Sequence, residues 1–289
     1  MVLTNKENMR MNNQLKQLVL DVNRKFNEEH LECVVKPSVP ILFFGDLSAY
    51  EKSEKKIITV GLNPSSAEFP RTDPFLRFPD CKKLGENLSF DSAAMSEYIE
   101  SLSNYFKVAP YSRWFDSSFE VILNGMNASY YANKGVESTS KTNEKNLTFD
   151  LRYTALHTDI CSPLATDPTW SKLAESDQQA LATWGYETWG RLIKILEPDI
   201  VLISVAWSHL VHESTKDIFG DEWKAIYSVT NTNADTMKAT THKVLHSSIS
   251  LQNSKRTHFA FGVCNMKPFG NFNHAAKFEI GKTIQKVAS

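Results

Sequence analysis

An asparagine at the end of an apolar run is the residue best placed to do chemistry in this chain. Residues 56–66, KIITVGLNPSS, are mostly apolar and β-branched until Gly61, Asn63 and Pro64. Such a run, bounded by turn residues, predicts a buried strand, and Pro64 ends it. Gly61 allows backbone or ligand to approach closely. We expect Asn63 at the C-terminal end of a central strand, where α/β sheets bind ligands; an ordinary exit into a loop fits the same pattern.

The elements that would position Asn63 alternate between strands and helices. Apolar runs predict strands at 39–46, 56–62, 153–160, 199–207 and 258–265, with two shorter strands within 224–250. Helical periodicity predicts helices near 15–26, 92–106, 113–131, 176–196 and 273–287. This alternation predicts the α/β class, with a three-layer α/β/α sandwich around a central, mostly parallel sheet.

Length and composition are those of a globular protein. The chain has 289 residues, 42% of them hydrophobic and 22% charged, and a formal net charge of -1. We expect one domain over residues 1–289, with an N-terminal helical extension at about 1–38 and a polar insertion at about 132–150. The net charge excludes a global polycation but leaves room for local basic patches.

The positions of the cysteines and the hydropathy of the chain bear on its expected metal sites, disulfides and location. Four cysteines are scattered without a C-x2-C pair, at positions 33, 81, 161 and 264. Disulfides and a zinc site are therefore not expected, and a reduced cytoplasmic location is favoured. No apolar run approaches the length of about 20 residues that a membrane helix needs. We expect no metal, no cofactor and no membrane association.

The segment GLNPS, residues 61–65, resembles the first motif of the uracil-DNA glycosylase superfamily in its asparagine-bearing, mismatch-specific form. Two further segments follow in the superfamily's order: HTDICSP at 157–163, where a second strand presents a base-reading residue, and LEPDIVLI at 196–203, which resembles the third, buried strand. The resemblance covers about residues 40–285 in outline. It implies the superfamily's fold and DNA as the partner, and we expect a monomer.

The resemblance implies hydrolysis of the N-glycosidic bond of a nucleotide flipped out of DNA. It makes Asn63 the residue that positions the attacking water, because an amide does not accept a proton near neutral pH but can hold water by hydrogen bonds. Asp46, at the end of the neighbouring predicted strand, is a candidate supplementary carboxylate; a turn residue is the alternative. Gly61, Leu62 and Pro64 belong to the same motif and would line the substrate site.

Two departures from the superfamily concern the choice of base. Uracil-specific members carry a tyrosine after the motif's proline, which blocks bulky groups at C5 of the pyrimidine, and Ser65 stands there instead. Asp159 occupies the base-reading position and, when ionised, only accepts hydrogen bonds, which suits the exocyclic amine of cytosine. Together they favour a cytosine derivative, with C5-modified cytosine of phage DNA as one case. A strand-end cap or a salt bridge is the alternative role for Asp159.

Two segments compete for the second catalytic motif, which supplies a hydrogen-bond donor to the departing base. LHSS at 245–248 offers His246 but lacks the expected proline. CNMKPFG at 264–270 offers Asn265 and Lys267 between the last strand and the last helix, which is the expected place and is favoured.

Aromatic and basic residues complete the predicted site. Flipped bases usually stack on aromatic rings, and we expect Phe75 or Phe78 in this role and Trp114 near the base. Residues 251–289 carry an excess of positive charge, from which Lys255, Arg256 and Lys277 are predicted to contact DNA phosphates.

We therefore expect a monofunctional DNA glycosylase that releases a damaged or modified pyrimidine and leaves an abasic site, in antiviral defence or base repair. A uracil or mismatch repair glycosylase is one alternative. A catalytically silent DNA-binding member of the fold is another. No G-x-S-x-G or phosphate-loop motif supports an unrelated α/β hydrolase.

Overall fold

A seven-stranded sheet forms the centre of the protein. The computed structural model describes residues 5–84, 92–131, 151–232, 239–252 and 255–289. The strands are β1 (Ile57–Gly61), β2 (Ala128–Ser129), β3 (Tyr153–Asp159), β4 (Ile200–Ile203), β5 (Lys224–Thr232), β6 (Ala239–Gln252) and β7 (Lys255–Phe261). The helices are α1 (Asn5–Glu28), α2 (Leu47–Lys52), α3 (Ser92–Ser103), α4 (Tyr105–Val108), α5 (Ser112–Phe115), α6 (Phe119–Gly125), α7 (Glu175–Leu196), α8 (Lys216–Phe219) and α9 (His274–Val287).

The strand order is β2-β3-β1-β4-β7-β6-β5. The five strands from β2 to β7 run parallel to one another, and the β7–β6 and β6–β5 pairs are antiparallel. Strands β1, β3 and β4 are buried along their whole length, as a parallel sheet covered on both faces requires. The predicted α/β class with a mostly parallel central sheet is confirmed.

The register brings four strand ends to one edge of the sheet. Gly61 pairs with Asp159, Val60 with Ile203, and Ile203 with Phe261. We call the side on which β1, β3, β4 and β7 end the carboxyl edge. The segments that follow these strands all begin there, so side chains from distant parts of the chain meet at this edge.

Two predicted elements differ from the structure. Residues 39–46 do not form a strand: Phe44 pairs with His157 by two backbone hydrogen bonds of 2.8 and 2.9 Å, and the pairing remains an isolated bridge. Gly45 follows at φ +118° and turns the chain away. The helix predicted over 113–131 is divided into α5, α6 and β2, since Asn127 adopts a φ of 56° that no helix continues. The insertion predicted at 132–150 lies outside the described residues.

The predicted N-terminal extension is part of the packed core. The apolar side of α1, with Leu18, Val19 and Val22 almost fully buried, joins the central hydrophobic cluster. Arg191 of α7 donates to Asp21 of α1 at 2.7 Å. None of the helices in the described ranges is long and apolar enough to cross a membrane.

Helices α6 and α9 cross with their backbones in contact. A Cβ on Gly281 of α9 would lie 2.0 Å from the carbonyl oxygen of Ile122, and a Cβ on Gly125 of α6 would lie 2.1 Å from that of Phe278. Neither position therefore accepts a side chain without displacing a helix. The crossing fixes the middle of α9 against the second half of α6.

A buried carboxyl group joins α6 to β2. Glu120 is 5% exposed and accepts hydrogen bonds from the Ser129 hydroxyl and from the backbone N–H of Tyr130, the latter at 3.2 Å. Burial raises the pKa of Glu120 to about 7, although these two hydrogen bonds act in the opposite direction. Its protonated form is thus favoured in the folded protein.

The free energy of unfolding should fall as pH rises between about 4.5 and 7, because the unfolded chain then ionises Glu120 while the folded protein keeps it protonated. A shift of this size corresponds to about 3 kcal/mol. In Glu120→Gln this contribution is absent, so denaturant unfolding from pH 5 to 8 should show the variant gaining stability relative to the wild type. Glu279→Gln, on the exposed side of α9, is the control. Parallel pH profiles for wild type and Glu120→Gln would contradict the assignment.

Candidate functional site

The side chain of Asn63 is held at the carboxyl edge by its amide nitrogen. Nδ2 donates to the carbonyl oxygen of Pro64 at 2.7 Å, to Oγ1 of Thr166 at 2.9 Å and, at the longer distance of 3.4 Å, to the carbonyl oxygen of Leu164. These acceptors define which end of the amide is nitrogen. The residue is half-buried, and in the described part of the chain no donor bonds to its Oδ1. Asn63 therefore presents an oriented amide oxygen that can accept a hydrogen bond.

The loop that carries Asn63 is joined by backbone hydrogen bonds to the loop that follows β3. The N–H of Cys161 donates to Leu62 at 2.8 Å, and the N–H of Ser66 donates to Thr166 at 3.0 Å. The N–H of Thr166 donates to Pro64 at 3.2 Å. Ser65 caps the short 3-10 helix Ser66–Glu68, its hydroxyl accepting from the N–H of Ala67 at 3.3 Å. The GLNPS segment thus lies at the carboxyl edge, where backbone hydrogen bonds before and after Asn63 hold it to the loop after β3.

Asp159 lies directly beside Gly61. A Cβ added to Gly61 would lie 2.6 Å from Oδ1 of Asp159 and 3.2 Å from Nε2 of His157. Gly61 is therefore required by the close approach of these two side chains. Asp159 ends β3 with 9% of its surface exposed, and so sits next to the segment that carries Asn63.

A chain of hydrogen-bonding groups leads from Tyr130 to Asp159. The hydroxyl groups of Tyr130 and Thr59 are in contact, and Thr59 Oγ1 lies 2.7 Å from Nδ1 of His157. The opposite ring nitrogen, Nε2, lies 3.5 Å from Oδ1 of Asp159. With the ring proton on Nε2, the hydroxyl groups of Tyr130 and Thr59 each donate to the next group, and the imidazole turns its N–H toward Asp159. His157 thus presents a donor to the carboxyl group of Asp159.

A second buried carboxyl group, Glu68, lies in the same region. Its Oε2 accepts from the Tyr105 hydroxyl at 2.7 Å and lies 3.5 Å from Nε of Arg77. Burial raises the pKa of Glu68 to about 7, and the nearby charge of Asp159 acts in the same direction. Nothing in the sequence marks Glu68 as a site residue, since a glutamate five residues after Asn63 belongs to no motif.

The rings that were predicted to stack on the base are packed in the hydrophobic core. Phe78 is fully buried between the rings of Phe69 and Tyr105, at centroid distances of 5.4 and 5.5 Å. Phe75 is 7% exposed and makes an edge contact with Phe69. A base could stack on Phe78 only after displacing one of its two neighbours. The Trp114 side chain is half-buried in α5.

The aromatic rings that surround the carboxyl edge come from other positions. Phe44, Phe115 and Phe119 pack around His157 at centroid distances of 5.5, 5.0 and 5.6 Å. These three rings were not predicted, because their elements are distant in the chain from the GLNPS segment.

Asp46 does not reach the site. Its Oδ1 accepts from the N–H of Ala49 at the beginning of α2, and its Oδ2 accepts from Lys107 at 2.6 Å. Because the segment around Phe44 runs antiparallel to β3, the chain beyond it leads away from the carboxyl edge. Asp46 is a helix cap in the structure, and the turn-residue alternative describes it better than a catalytic carboxylate.

His246 is also outside the site. It lies on β6, and its Nε2 is 3.0 Å from Nδ1 of His258, with the two rings stacked. His258 is level with Ile200, the first residue of β4. His246 itself is level with Ala260, but β6 is three strands away from β1 in the sheet, so the structure does not bring His246 to the GLNPS segment.

The loop after β7, residues 264–270, does return to the carboxyl edge. The N–H of Phe269 donates to the hydroxyl of Ser204, which follows β4, at 2.9 Å. Asn265 is exposed and donates to Asn271 at 2.7 Å, and Lys267 donates to Ser117 at 3.1 Å. Met266 is 95% exposed at a φ of 58°, a conformation that side chains other than glycine seldom adopt. Of the two competing segments, this loop is the one that follows the end of a parallel strand and is bonded to the residue after β4.

The three predicted DNA-contacting residues do not form one surface. Lys255 and Arg256 are at the start of β7, and Lys255 is paired with Asp199 at 3.0 Å. Seven residues of β7 separate that start from the carboxyl edge, a length of about 23 Å at the usual rise per residue. Lys277 is buried, with 4% exposure, and its ammonium group donates to the carbonyl oxygen of Ser117 at 2.8 Å.

Comparison of the chain with protein-family models, with curated proteins and with solved structures gives no significant match. The resemblance to the uracil-DNA glycosylase superfamily therefore depends on the residues of the GLNPS segment and of the two strands that follow it.

Proposed function

We propose that this protein is a monofunctional DNA glycosylase that hydrolyses the N-glycosidic bond of a flipped-out pyrimidine and leaves an abasic site. One observation carries the proposal: Asn63 has its amide nitrogen bonded to Pro64 and Thr166 and its Oδ1 open to a further donor. That oxygen is fixed at the edge of the sheet where the ligands of α/β proteins bind.

The chemistry follows from the properties of an amide. Oδ1 of Asn63 accepts a hydrogen bond from a water molecule and directs the water's lone pair at the sugar carbon that bears the base. Asn63 takes no proton itself, so its contribution is position. The departing base takes the electrons of the broken C–N bond, and the proton that the water releases passes to the base through solvent. Charge that develops on the departing base is stabilised by donors aimed at it, and Lys267 and Asn265 on the loop after β7 are the available donors at this edge.

Asp159 is the residue from which we infer a preference of the protein for cytosine-type bases. A carboxylate accepts hydrogen bonds and does not donate them, and Nε2 of His157 lies 3.5 Å from Oδ1 of Asp159. The exocyclic amine of cytosine donates to such a group, whereas O4 of uracil does not. The small Ser65 leaves room for a substituent at C5, so we propose a C5-modified cytosine, as in hypermodified phage DNA, as the substrate.

Met266 supports action on duplex DNA. Its apolar side chain is 95% exposed at the carboxyl edge, beside Lys267. Proteins that unstack DNA insert such apolar side chains between base steps. Met266 is placed to fill the gap that a flipped nucleotide leaves behind.

Replacing Asn63 by Ala should reduce base excision by about 100-fold or more, because the water loses its fixed partner. Thr166→Val keeps the size of the side chain but removes the acceptor for Nδ2, and should cost roughly 10-fold through positioning alone. Alkali-labile sites on a panel of base-modified duplexes measure both effects, with Asn13→Ala on α1 as the control. Full activity in Asn63→Ala would reject the proposed role, and duplex binding without abasic sites in the wild type would favour the silent alternative.

Asp159→Asn should shift the preference from cytosine-type to uracil-type bases, since an amide both donates and accepts. The measured quantity is the ratio of kcat/KM values for the two base types in the same duplex context. A ratio that is unchanged by the substitution would show that Asp159 does not read the base. Mass spectrometry of bases released from normal and heavily modified DNA identifies the substrate.

Met266→Ala should lower excision from duplex DNA by about 10-fold and leave excision from single strands nearly unchanged, because only the duplex must be unstacked. Val211→Ala changes another exposed apolar side chain, 54% exposed, and serves as the control. Equal losses on both substrates would contradict the assignment.

A further inference from the structure

Lys277 is a buried cation that has no counter-ion among the residues that the structure describes. The residue is 4% exposed, and its ammonium group donates to one neutral acceptor, the carbonyl oxygen of Ser117, at 2.8 Å. It forms no ion pair with any residue in the described ranges. Burial and the charge of Lys267 lower the pKa of Lys277 to about 8. A buried charge that is unpaired is costly, and proteins normally pair such groups.

A second lysine bonds to the same residue. Lys267, on the loop after β7, donates to the hydroxyl of Ser117 at 3.1 Å. Two ammonium groups thus bond to one serine, one to its carbonyl oxygen and one to its hydroxyl. Like charges this close repel one another, so an anion bound to both would remove that cost.

The surrounding backbone adds positive potential and prevents Lys277 from moving away. Lys277 is at the end of the first turn of the 14-residue helix α9, which has no acidic residue in that turn. The N-terminus of a helix carries a partial positive charge and favours anions. Gly281, one turn later, is in contact with α6, so the helix cannot shift to expose the lysine.

We propose that Lys267, Lys277 and Ser117 form a binding site for a phosphate group. Under the proposed function, on which this assignment of the ligand rests, the phosphate belongs to the DNA backbone next to the flipped nucleotide. The site lies close to the carboxyl edge, because Phe119, two residues after Ser117, packs on His157 at 5.6 Å and on Phe269 at 6.0 Å. A backbone phosphate held there would place the adjoining sugar near Asn63.

Thermal unfolding of the full chain in sodium phosphate and in sodium chloride of equal ionic strength tests the site. Phosphate should raise the Tm of the wild type, because a ligand that binds the folded state stabilises it. Lys277→Met and Lys267→Met should each lose most of this increase. Lys282→Met removes an exposed charge from the same helix, one that is paired with Glu279 at 2.9 Å, and should keep it.

Stability in chloride gives a second readout. Lys277→Met should unfold at the same Tm as the wild type or at a higher one, because an uncompensated buried charge is removed. If that variant does not fold, Lys267→Met decides the question, since its side chain is exposed. A phosphate response in Lys267→Met equal to that of the wild type would overturn the site, as would an equal loss in Lys282→Met.

Three probes separate the sources of the phosphate group: inorganic phosphate, a deoxynucleoside monophosphate and a nine-nucleotide single strand. For a backbone site, Lys267→Met should lower the slope of log affinity against log salt for the single strand by roughly 0.7. An unchanged slope, together with lost binding of inorganic phosphate, would overturn the assignment to DNA. A wild-type phosphate response in a protein that excises no base would reject the proposed function and leave the phosphate site intact.

Discussion

The amide nitrogen of Asn63 organises the carboxyl edge. Its two hydrogens are shared among the acceptors Pro64, Thr166 and Leu164, and two of these belong to the loop after β3. One side chain therefore ties the end of β1 to the end of the neighbouring strand. The same bonds decide its chemistry, because they leave only the amide oxygen for a ligand. An aspartate at this position would set a carboxylate oxygen against two carbonyl oxygens, which explains in physical terms why an amide suits this loop.

Ionisable groups buried near this edge differ in how their charge is compensated. Glu68 has the Tyr105 hydroxyl and Arg77 as partners, and Glu120 has Ser129 and the N–H of Tyr130. Both carboxyl groups still have a pKa of about 7 because burial outweighs these contacts. Lys277 has one neutral acceptor and a second lysine nearby. No acidic group in the described part of the chain pairs with its positive charge. For this reason we take Lys277 as the sign of a bound ligand, whereas the glutamates have structural partners.

The sequence predicted the central elements well and their side-chain environments poorly. Periodicity located β1, β3, β4, α7 and α9, since the apolar pattern of a buried strand or an amphipathic helix depends on local spacing. Residues 39–46 have the same apolar character but pair only at Phe44, because Gly45 turns the chain away from β3 directly afterwards. Phe78 is a similar case: its composition suits a stacking ring, but Phe69 and Tyr105 already cover both of its faces. Such environments depend on contacts between distant residues.

Lys277 shows that a sequence signal can be present and still be outweighed. Counting charges places it on a basic surface, but it shares helical spacing with Ile280, Gly281 and Ile284, all of them buried. Positions 277, 280, 281 and 284 lie on one face of a helix, so the pattern itself indicates a lysine that points inward. That spacing distinguishes a lysine that is buried against the core from one that is merely solvated, and the first turn of α9 holds no acidic residue to pair with it.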